Sequence, residues 1–519
     1  MKEDGKQKGE ATVHGVVFAI FATFLARGFG FFRELMTASA FGTSGQGDAF
    51  IIALSIPDIL SSGFGTVIAS LYIPTIFKIR NEKIRTDEEN RYNSSILFAM
   101  FLLGAAITGI VEVFPESIVN VFASGFDKET FDIAVFMTRI TVITVIPVFI
   151  GSLLKAYGQI INKFALLTLL GSIINVVTII SLCVSSKNDL SALAYSVLLG
   201  NVLYVIIAFI VVNQNGFKMS GKLSLKNPYM IGMISGILPI FISNIISEMN
   251  QIIDKNFASH LSSGTISALN YSSKVVNLIT AILGTAVSSV FFPQLSMLAA
   301  SKNYQLVAKH VNQITCILFS ILVPIFYGTI IFSHKIITIL FGHGNFNSNS
   351  VQVTAQCLVF YSIGILGFNV KAFWTRVYNS SLNTKIPAIN SAVAVGLNII
   401  LNIALMPILQ HRGLALATGI AYVFTDVLLI VQYSKINPYF DLIRMIRELL
   451  KIAIASLPII PVLKFTELYA PNGVLGTVLC GGIGFFLSII LYMLVLFRIN
   501  SEVAKKIRIR LKVANRNKK

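Results

Sequence analysis

The sequence predicts an all-α integral membrane protein of about fourteen transmembrane helices. They form two parallel six-helix lobes related by a pseudo-two-fold axis, with two extra helices at the C-terminal end. Three observations predict this. The 519-residue chain is 55% hydrophobic and only 12% charged, about half the charged fraction of a soluble domain. Its apolar residues gather into runs nearly free of charge, each long enough to cross about 30 Å of hydrocarbon. And a ten-residue segment of the first half recurs in the second.

The apolar runs place helices at 13–36, 48–77, 92–114, 131–156, 165–186, 190–213, 230–254, 266–297, 311–333, 351–377, 386–408, 413–434, 447–467 and 473–497. Residues 1–12 are polar and basic and read as a cytoplasmic tail. The run after them holds Arg27 and Arg33 and no small-residue cleavage site, so it reads as a retained signal anchor. With the N-terminus inside, thirty of the 41 Lys and Arg fall in inner segments. Only Lys128, Lys187, Lys255, Lys335 and Arg412 fall in outer loops. This positive-inside bias predicts both termini in the cytoplasm. It also accounts for the net charge of +18 without nucleic acid. The basic tail 498–519 is expected to rest on anionic headgroups.

The repeat pairs Gly65-Thr66-Val67-Ile68-Ala69-Ser70-Leu71-Tyr72-Ile73-Pro74 with Gly284-Thr285-Ala286-Val287-Ser288-Ser289-Val290-Phe291-Phe292-Pro293. A second echo pairs Lys155-Ala156-Tyr157 and Asn162 with Arg376-Val377-Tyr378 and Asn383. The unit spans six helices, an even number, so the halves share one orientation. Residues 13–229 then form the first lobe and 230–435 the second, with 436–497 as the two appended helices. In two-lobed transporters the substrate path runs between the lobes, and rocking gives alternating access.

Enzymatic readings fail on spacing. Gly216-Phe217-Lys218-Met219-Ser220-Gly221-Lys222-Leu223 lacks the final Ser or Thr of a phosphate-binding loop and sits in a short loop. The six histidines form no HExxH pattern. Cys183, Cys316, Cys357 and Cys480 lie in apolar runs without a CxxC pair, so they read as small hydrophobes.

Several stretches carry a resemblance. They are Arg27-Gly28-Phe29-Gly30-Phe31-Phe32-Arg33-Glu34, Phe41-Gly42, Asp48-Ala49-Phe50, Pro57-Asp58 and Leu340-Phe341-Gly342-His343-Gly344-Asn345-Phe346. To these add Tyr378 to Thr384, Pro387, Asn398, Asn402 and Gly413-Leu414-Ala415-Leu416-Ala417-Thr418. Over nearly its whole length the chain resembles the MurJ (MviN) family of lipid-linked peptidoglycan precursor flippases. These belong to the multidrug/oligosaccharidyl-lipid/polysaccharide exporter superfamily. The resemblance implies that the chain carries lipid II, an undecaprenyl-pyrophosphate-linked disaccharide-pentapeptide, from the inner to the outer leaflet. It also implies a polyprenyl-tail groove made by the last two helices.

A pyrophosphate head loses its hydration in hydrocarbon at a cost of many kcal/mol. A flippase therefore needs cations inside its spans, each costing about 2.5–3.5 kcal/mol at a helix centre. Arg27 lies near mid-bilayer and reads as a pyrophosphate ligand or a structural ion pair. Arg33 lies six residues on, with Gly28 and Gly30 allowing a bend; it reads as a second ligand or a snorkelling residue. Glu34 orients these arginines or is a helix-end charge. Asp48 reads as an N-cap or first-turn acid, and the resemblance adds a cavity-side or gating role. Lys274 stands where the family commonly has Arg, and completes a three-cation clamp or is a helix-end lysine. The family's Arg after the Pro-Asn that matches Pro57-Asp58 is absent here. Arg139 and Lys371 lie within spans without an assigned partner, Glu112 being one candidate for Arg139.

No cofactor is expected apart from sodium. Asp254, Asn398, Asn402 and Thr418 match the oxygen ligands of sodium-binding family members, with a carbonyl near Leu414. Asn402 stands where those members have an acid. The plainer reading is hydrogen bonding between helices. Expected partners are the glycolipid, membrane lipids and cell-wall synthesis proteins. The alternatives are a flippase for another undecaprenyl-linked glycan, a cation-coupled drug exporter, and a non-transporting scaffold. An exporter would have an acidic or aromatic cavity and twelve spans, and the intramembrane arginines and the count of fourteen spans argue against it.

Overall fold

The computed structural model describes residues 2–505 and 508, apart from 82–85, 185–188, 224–227, 301–302 and 472. Side chains are described from residue 18 onward, except at 86, 234–247, 282–294, 296 and 298–300. The second copy of the ten-residue repeat, and most of the basic tail, thus lie outside the described side chains.

Among the described residues every regular element is helical. Eleven helical segments are long and apolar enough to cross a membrane. Three further helices, Lys2–Phe41, Pro228–Ser259 and Thr265–Ala300, run 40, 32 and 36 residues, where about 20 suffice to span. The protein is a multi-pass membrane protein.

The chain divides into two compact units, Met1–Ser267 with Gly344–Phe346, and Ala268–His343 with Asn347–Lys519. The first holds α1 (Lys2–Phe41), α2 (Gly45–Leu60), α3 (Phe64–Asn81), α4 (Thr86–Val113), α5 (Pro115–Ala123), α6 (Lys128–Val142), α7 (Val145–Ile160), α8 (Phe164–Leu170), α9 (Ile173–Val184), α10 (Leu190–Gln214) and α11 (Pro228–Ser259). The second holds most of α12 (Thr265–Ala300), then α13 (Tyr304–Ile331), α14 (Ser333–Phe341), α15 (Ser348–Ser380), α16 (Lys385–Leu409), α17 (His411–Ile436), α18 (Leu442–Ser456), α19 (Ile459–Tyr469) and α20 (Val474–Arg498).

Several apolar runs that read as single helices are broken. The first breaks at Ser61–Gly63, where Pro57 ends the ladder of α2 and Gly63 takes a φ of +67°. The short helices α5 and α14 stand where the apolar pattern suggested loops. Helix starts follow capping chemistry. The carboxylate of Asp127 accepts from the Thr130 amide at 3.0 Å and its hydroxyl at 2.8 Å. These bonds hold Asp127 below the ordinary carboxylate range.

The two units repeat one plan. α4 and α13 are both 28 residues long, and each leads into a nine-residue helix, α5 or α14. Each following hairpin turns on a non-glycine residue in the left-handed region, Asn162 and Leu382, both with φ of +58°. In both, the amide after that residue closes the helix end. Lys163 donates to the Gly158 carbonyl at 2.7 Å and Asn383 to the Tyr378 carbonyl at 3.0 Å.

Lipid is as apolar as a leucine side chain, so helices in it associate by close packing and polar links. In the first unit Phe64 stacks on Phe149 at 3.8 Å, and Tyr72 donates to the Asn93 side chain at 2.6 Å. In the second, α15 and α17 run side by side through small residues. A Cβ on Gly367 would lie 2.7 Å from the Tyr422 Cβ and 2.9 Å from the Val423 nitrogen. Gly367→Ala should therefore force the two backbones apart and lower stability by about 1–3 kcal/mol, read as a fall in Tm in detergent. Gly396→Ala, which meets nothing within 4 Å, is the control and should leave Tm unchanged.

Candidate functional site

Asp48 does not cap its own helix. Ser44 does that, its hydroxyl accepting from the Gly47 amide at 3.2 Å. The Asp48 side chain reaches across to the start of α12. One carboxylate oxygen accepts from the Gly264 amide at 2.7 Å. The other accepts from the Ser267 amide at 2.7 Å and the Ser267 hydroxyl at 2.6 Å. The first amides of a helix have no partner within it and carry the positive end of its dipole. A buried carboxylate, 2% exposed, satisfies both needs at once. It joins the start of α2 to the start of α12 within the first unit.

The chain is close-packed around this bond. Gly264 has φ of +87°, and a Cβ there would lie 2.4 Å from the Thr43 carbonyl oxygen. Asn345, in the Gly344–Phe346 segment, donates from its amide to Ser39 O at 2.8 Å and from its side chain to Ala40 O at 2.7 Å. Ser124 lies 3.2 Å from the Asn256 side-chain oxygen and 3.0 Å from the His260 ring. Deeper along α11, Lys255 donates to Ser55 at 2.5 Å, and Glu248 accepts from Ser62 at 2.6 Å. Together these contacts tie α1, α2, the 123–127 turn and the α11–α12 turn into one closed end.

α1 carries the arginines. It runs as one continuous helix through Gly28 and Gly30. Arg33 pairs with Glu34 at 2.9 Å, with side-chain exposures of 19% and 9%. Arg27 is exposed and makes no ion pair among the described residues. Its neighbours Phe24, Phe29 and Phe32 are also exposed. Glu34 thus partly neutralises Arg33, and Arg27 presents its guanidinium outright. Such a group, in an apolar setting, favours an anionic ligand.

Lys274 is half-buried on α12 in the second unit. The oxygens expected to hold sodium are split. Asp254 lies in the first unit, half-buried, 3.5 Å from the Asn250 amide group. Asn398, Asn402 and Thr418 meet in the second. Asn402 donates to Asn398 at 3.0 Å, Asn398 to Thr418 at 3.3 Å, and Thr418 to Leu414 O at 3.1 Å. This chain of donors is an interhelical hydrogen-bond network between α16 and α17. Arg139 pairs with Glu112 at 3.7 Å. Lys371 sits over the Tyr422 ring at 5.3 Å. Of the cysteines, Cys316 and Cys357 are buried, while Cys183 is exposed and Cys480 half-buried.

Sequence reasoning missed Ser267, Gly264, Asn256, His260 and Ser124 as parts of the closed end. Each is a small or polar residue in or within one turn of a helix-connecting segment. The one signal was the density of Gly, Ser and Asn between apolar runs.

Comparison with known proteins gives a consistent result. The sequence matches the family described as lipid II flippase MurJ over residues 37–484. It is 26% identical to the probable lipid II flippase MurJ of Thermotoga maritima over 487 residues, 93% of this chain and 97% of that one. It is 27% identical to that of Rickettsia prowazekii over 414 residues, 78% of this chain and 80% of the other. A solved structure of lipid II flippase MurJ in an inward closed conformation is similar, with a TM-score of 0.79, 26% identity, and coverage of 93% of this chain and 99% of that one. An inward-facing multidrug resistance MATE family transporter of the MOP superfamily shares the fold, with a TM-score of 0.62 at 13% identity, covering 82% of this chain and 98% of that one.

Removing the Asp48 carboxylate leaves two buried amides and a hydroxyl unpaired, each worth about 1–3 kcal/mol. A cysteine replacing the buried Thr265 should be shielded from a membrane-impermeant maleimide in the otherwise native chain. Adding Asp48→Ala should raise its labelling roughly tenfold or more, as expected for a loss of that size. Equal labelling in both would mean that Asp48 does not hold this end closed.

Proposed function

Because the chain belongs to the lipid II flippase MurJ family, we propose that it carries lipid II from the inner to the outer leaflet of the bacterial cytoplasmic membrane. It is a transporter and not an enzyme. The observation that carries the substrate reading is Arg27, a guanidinium exposed within a long apolar helix and without an ion pair among the described residues. A pyrophosphate head offers several anionic oxygens to such a fork of donors. Arg27, Arg33 and Lys274 are the cations proposed to take it. Glu34 tunes Arg33 through their ion pair.

The proposed cycle is alternating access by fourteen spans in two lobes, with both termini cytoplasmic. In that orientation the Asp48 bonds lie at the outer end and must break for the head group to leave. A cytoplasm-negative potential favours outward movement of an anionic head by about 2.3 kcal/mol per charge per 100 mV. Sodium at Asn398, Asn402 and Thr418, with Asp254, is a further proposed contribution. Asn402 in place of an acid makes that site weaker than one with two carboxylates. Membrane lipids and cell-wall synthesis proteins are the proposed partners.

Complementation tests the substrate. In a bacterium depleted of its own lipid II flippase, the wild-type chain should restore growth. Arg27→Ala, Arg33→Ala and Lys274→Ala should fail at matched membrane levels. A well-expressed wild type that does not rescue would point to another undecaprenyl-linked glycan, and rescue by every variant would exclude these cations as ligands. Transport in proteoliposomes should also accelerate under an inside-negative potential for inside-oriented substrate. A rate indifferent to both voltage and sodium would overturn the proposed drive.

A further inference from the structure

The second unit contains a buried acid that the transport reading does not use. Asp426, on α17, is 6% exposed. One of its carboxylate oxygens is fully buried and accepts no hydrogen bond, and no ion pair within 4 Å is made to it among the described residues. Asp48, in the first unit, shows what a stable buried carboxylate looks like, with three donors on two oxygens. A carboxylate without donors in an apolar helix interface is stable only with a proton bound or a cation brought beside it.

The register of the helices supplies the cation. α15 and α17 run parallel and in step. Gln356 meets His411 at 3.0 Å, Gly367 meets Tyr422, and the Tyr378 ring meets that of Tyr433 at 5.9 Å. The same step pairs Lys371 with Asp426, one turn beyond the Gly367–Tyr422 contact on both helices. The Lys371 ammonium rests over the Tyr422 ring at 5.3 Å, and Tyr422 is one turn from Asp426. Lys371 is the charged group within electrostatic reach of Asp426.

On the helices packed against α15 and α17, α13 carries Tyr304, Lys309, His310, Cys316 and Tyr327, and α14 carries His334 and Lys335. α15 adds Cys357, Tyr361, Arg376 and Tyr378; Tyr378 donates to Leu429 O at 2.8 Å, and Arg376 lies more than a turn beyond Lys371. Between Lys385 and Leu409, α16 has Lys385 alone, at its first position. α18 adds Arg444, Arg447, Glu448 and Lys451. There Glu448 accepts from Lys451 at 2.6 Å and from the Glu502 amide at 2.8 Å, and Arg444 bonds Glu502 at 2.6 Å. α17 itself adds His411, Arg412, Tyr422, Tyr433 and Lys435, of which Tyr422 is the one within a turn of Asp426.

We propose that Asp426 and Lys371 form a proton-exchange site on the α15–α17 seam. In the arrangement described here Asp426 holds a proton and Lys371 rests on Tyr422. When the helices shift so that the ammonium reaches the carboxyl, the O–H bond breaks, the proton leaves to water, and Lys371 becomes the counter-ion. No electrons are exchanged, and the net charge of the pair falls from +1 with the proton bound to zero as an internal ion pair, the released proton carrying the +1 to water. The seam therefore has two packings distinguished by one proton. The proposal does not depend on which lipid is carried.

The single tryptophan reports on the seam directly. Trp374 is fully buried on α15, one turn from Lys371, and its ring meets Tyr433 at 5.2 Å. The chain in nanodiscs is titrated with acid and base alone, following Trp374 emission, with no lipid II present. The wild type should show one reversible transition. Asp426→Asn, which mimics the protonated form, should abolish it. Lys371→Met removes the competing cation and should move the midpoint to higher pH by about 1–3 units. If Asp426→Asn does not give monodisperse protein, Asp426→Glu should keep the transition with a displaced midpoint. A wild type without a transition, or one left unmoved by the Lys371 and Asp426 variants, overturns the proposal. Because no transport is measured, failure here is distinct from failure of the flippase reading.

Discussion

Hydrocarbon offers no hydrogen-bond partner, so every backbone amide and carbonyl within the membrane must find one inside the protein. That constraint makes each spanning segment a helix, and it leaves the helix ends as the places where chemistry is negotiated. Four amides at each helix start and four carbonyls at each end lack partners. In this protein those ends are where the informative contacts lie. Asp48 illustrates the point. Its carboxylate serves the first amides of α12, a helix more than two hundred residues away in sequence. A bond that satisfies a helix start also joins two segments distant in sequence.

The same constraint explains why charge is rare in the spans and meaningful where it occurs. Three kinds of intramembrane charge stand out beside Lys274 and Lys371. Arg139 and Glu112, and Arg33 and Glu34, neutralise one another. Asp48 is neutralised by helix-end amides. Arg27 and Asp426 are not neutralised by an ion pair, and these two carry the functional proposals, one toward an anionic head group and one toward a proton. In the second unit, α15 and α17, which flank Asp426, are packed through Gly367, which lets the backbones approach within contact distance. Small shifts along such seams change what a charged side chain touches without unfolding anything.

The duplication gives the fold its economy. α4 and α13 match in length, α5 and α14 follow them, and both hairpins turn on a left-handed non-glycine residue. Yet the units differ in where polar groups sit. The first concentrates them at one end, around Asp48, Asn345 and His260. The second places them along the interior of α15, α16 and α17, from Asn398 and Thr418 to Lys371 and Asp426. One helical plan thus supports a polar end in one unit and a polar seam in the other.

The sequence by itself determined the helical membrane class, the approximate spans, the repeat and the family motifs. These depend on composition and periodicity along the chain, which an apolar solvent reads residue by residue. It also marked Arg27, Arg33, Glu34, Asp48 and Lys274 as groups too costly to bury without purpose. Only the tertiary structure decided what those groups touch. Asp48 looked like a cap for its own helix and serves another, because Ser44 already occupies the local role. Arg33 read as a second ligand or a snorkelling residue, with Glu34 as a candidate to orient the arginines, and the structure pairs Arg33 with Glu34 at 2.9 Å. Lys371 had no partner in sequence and gains the Tyr422 ring from the parallel register of α15 and α17. Hydropathy is a local property, whereas the partner of a buried charge is set by which helices pack together and in what register, and those contacts join residues far apart in the chain.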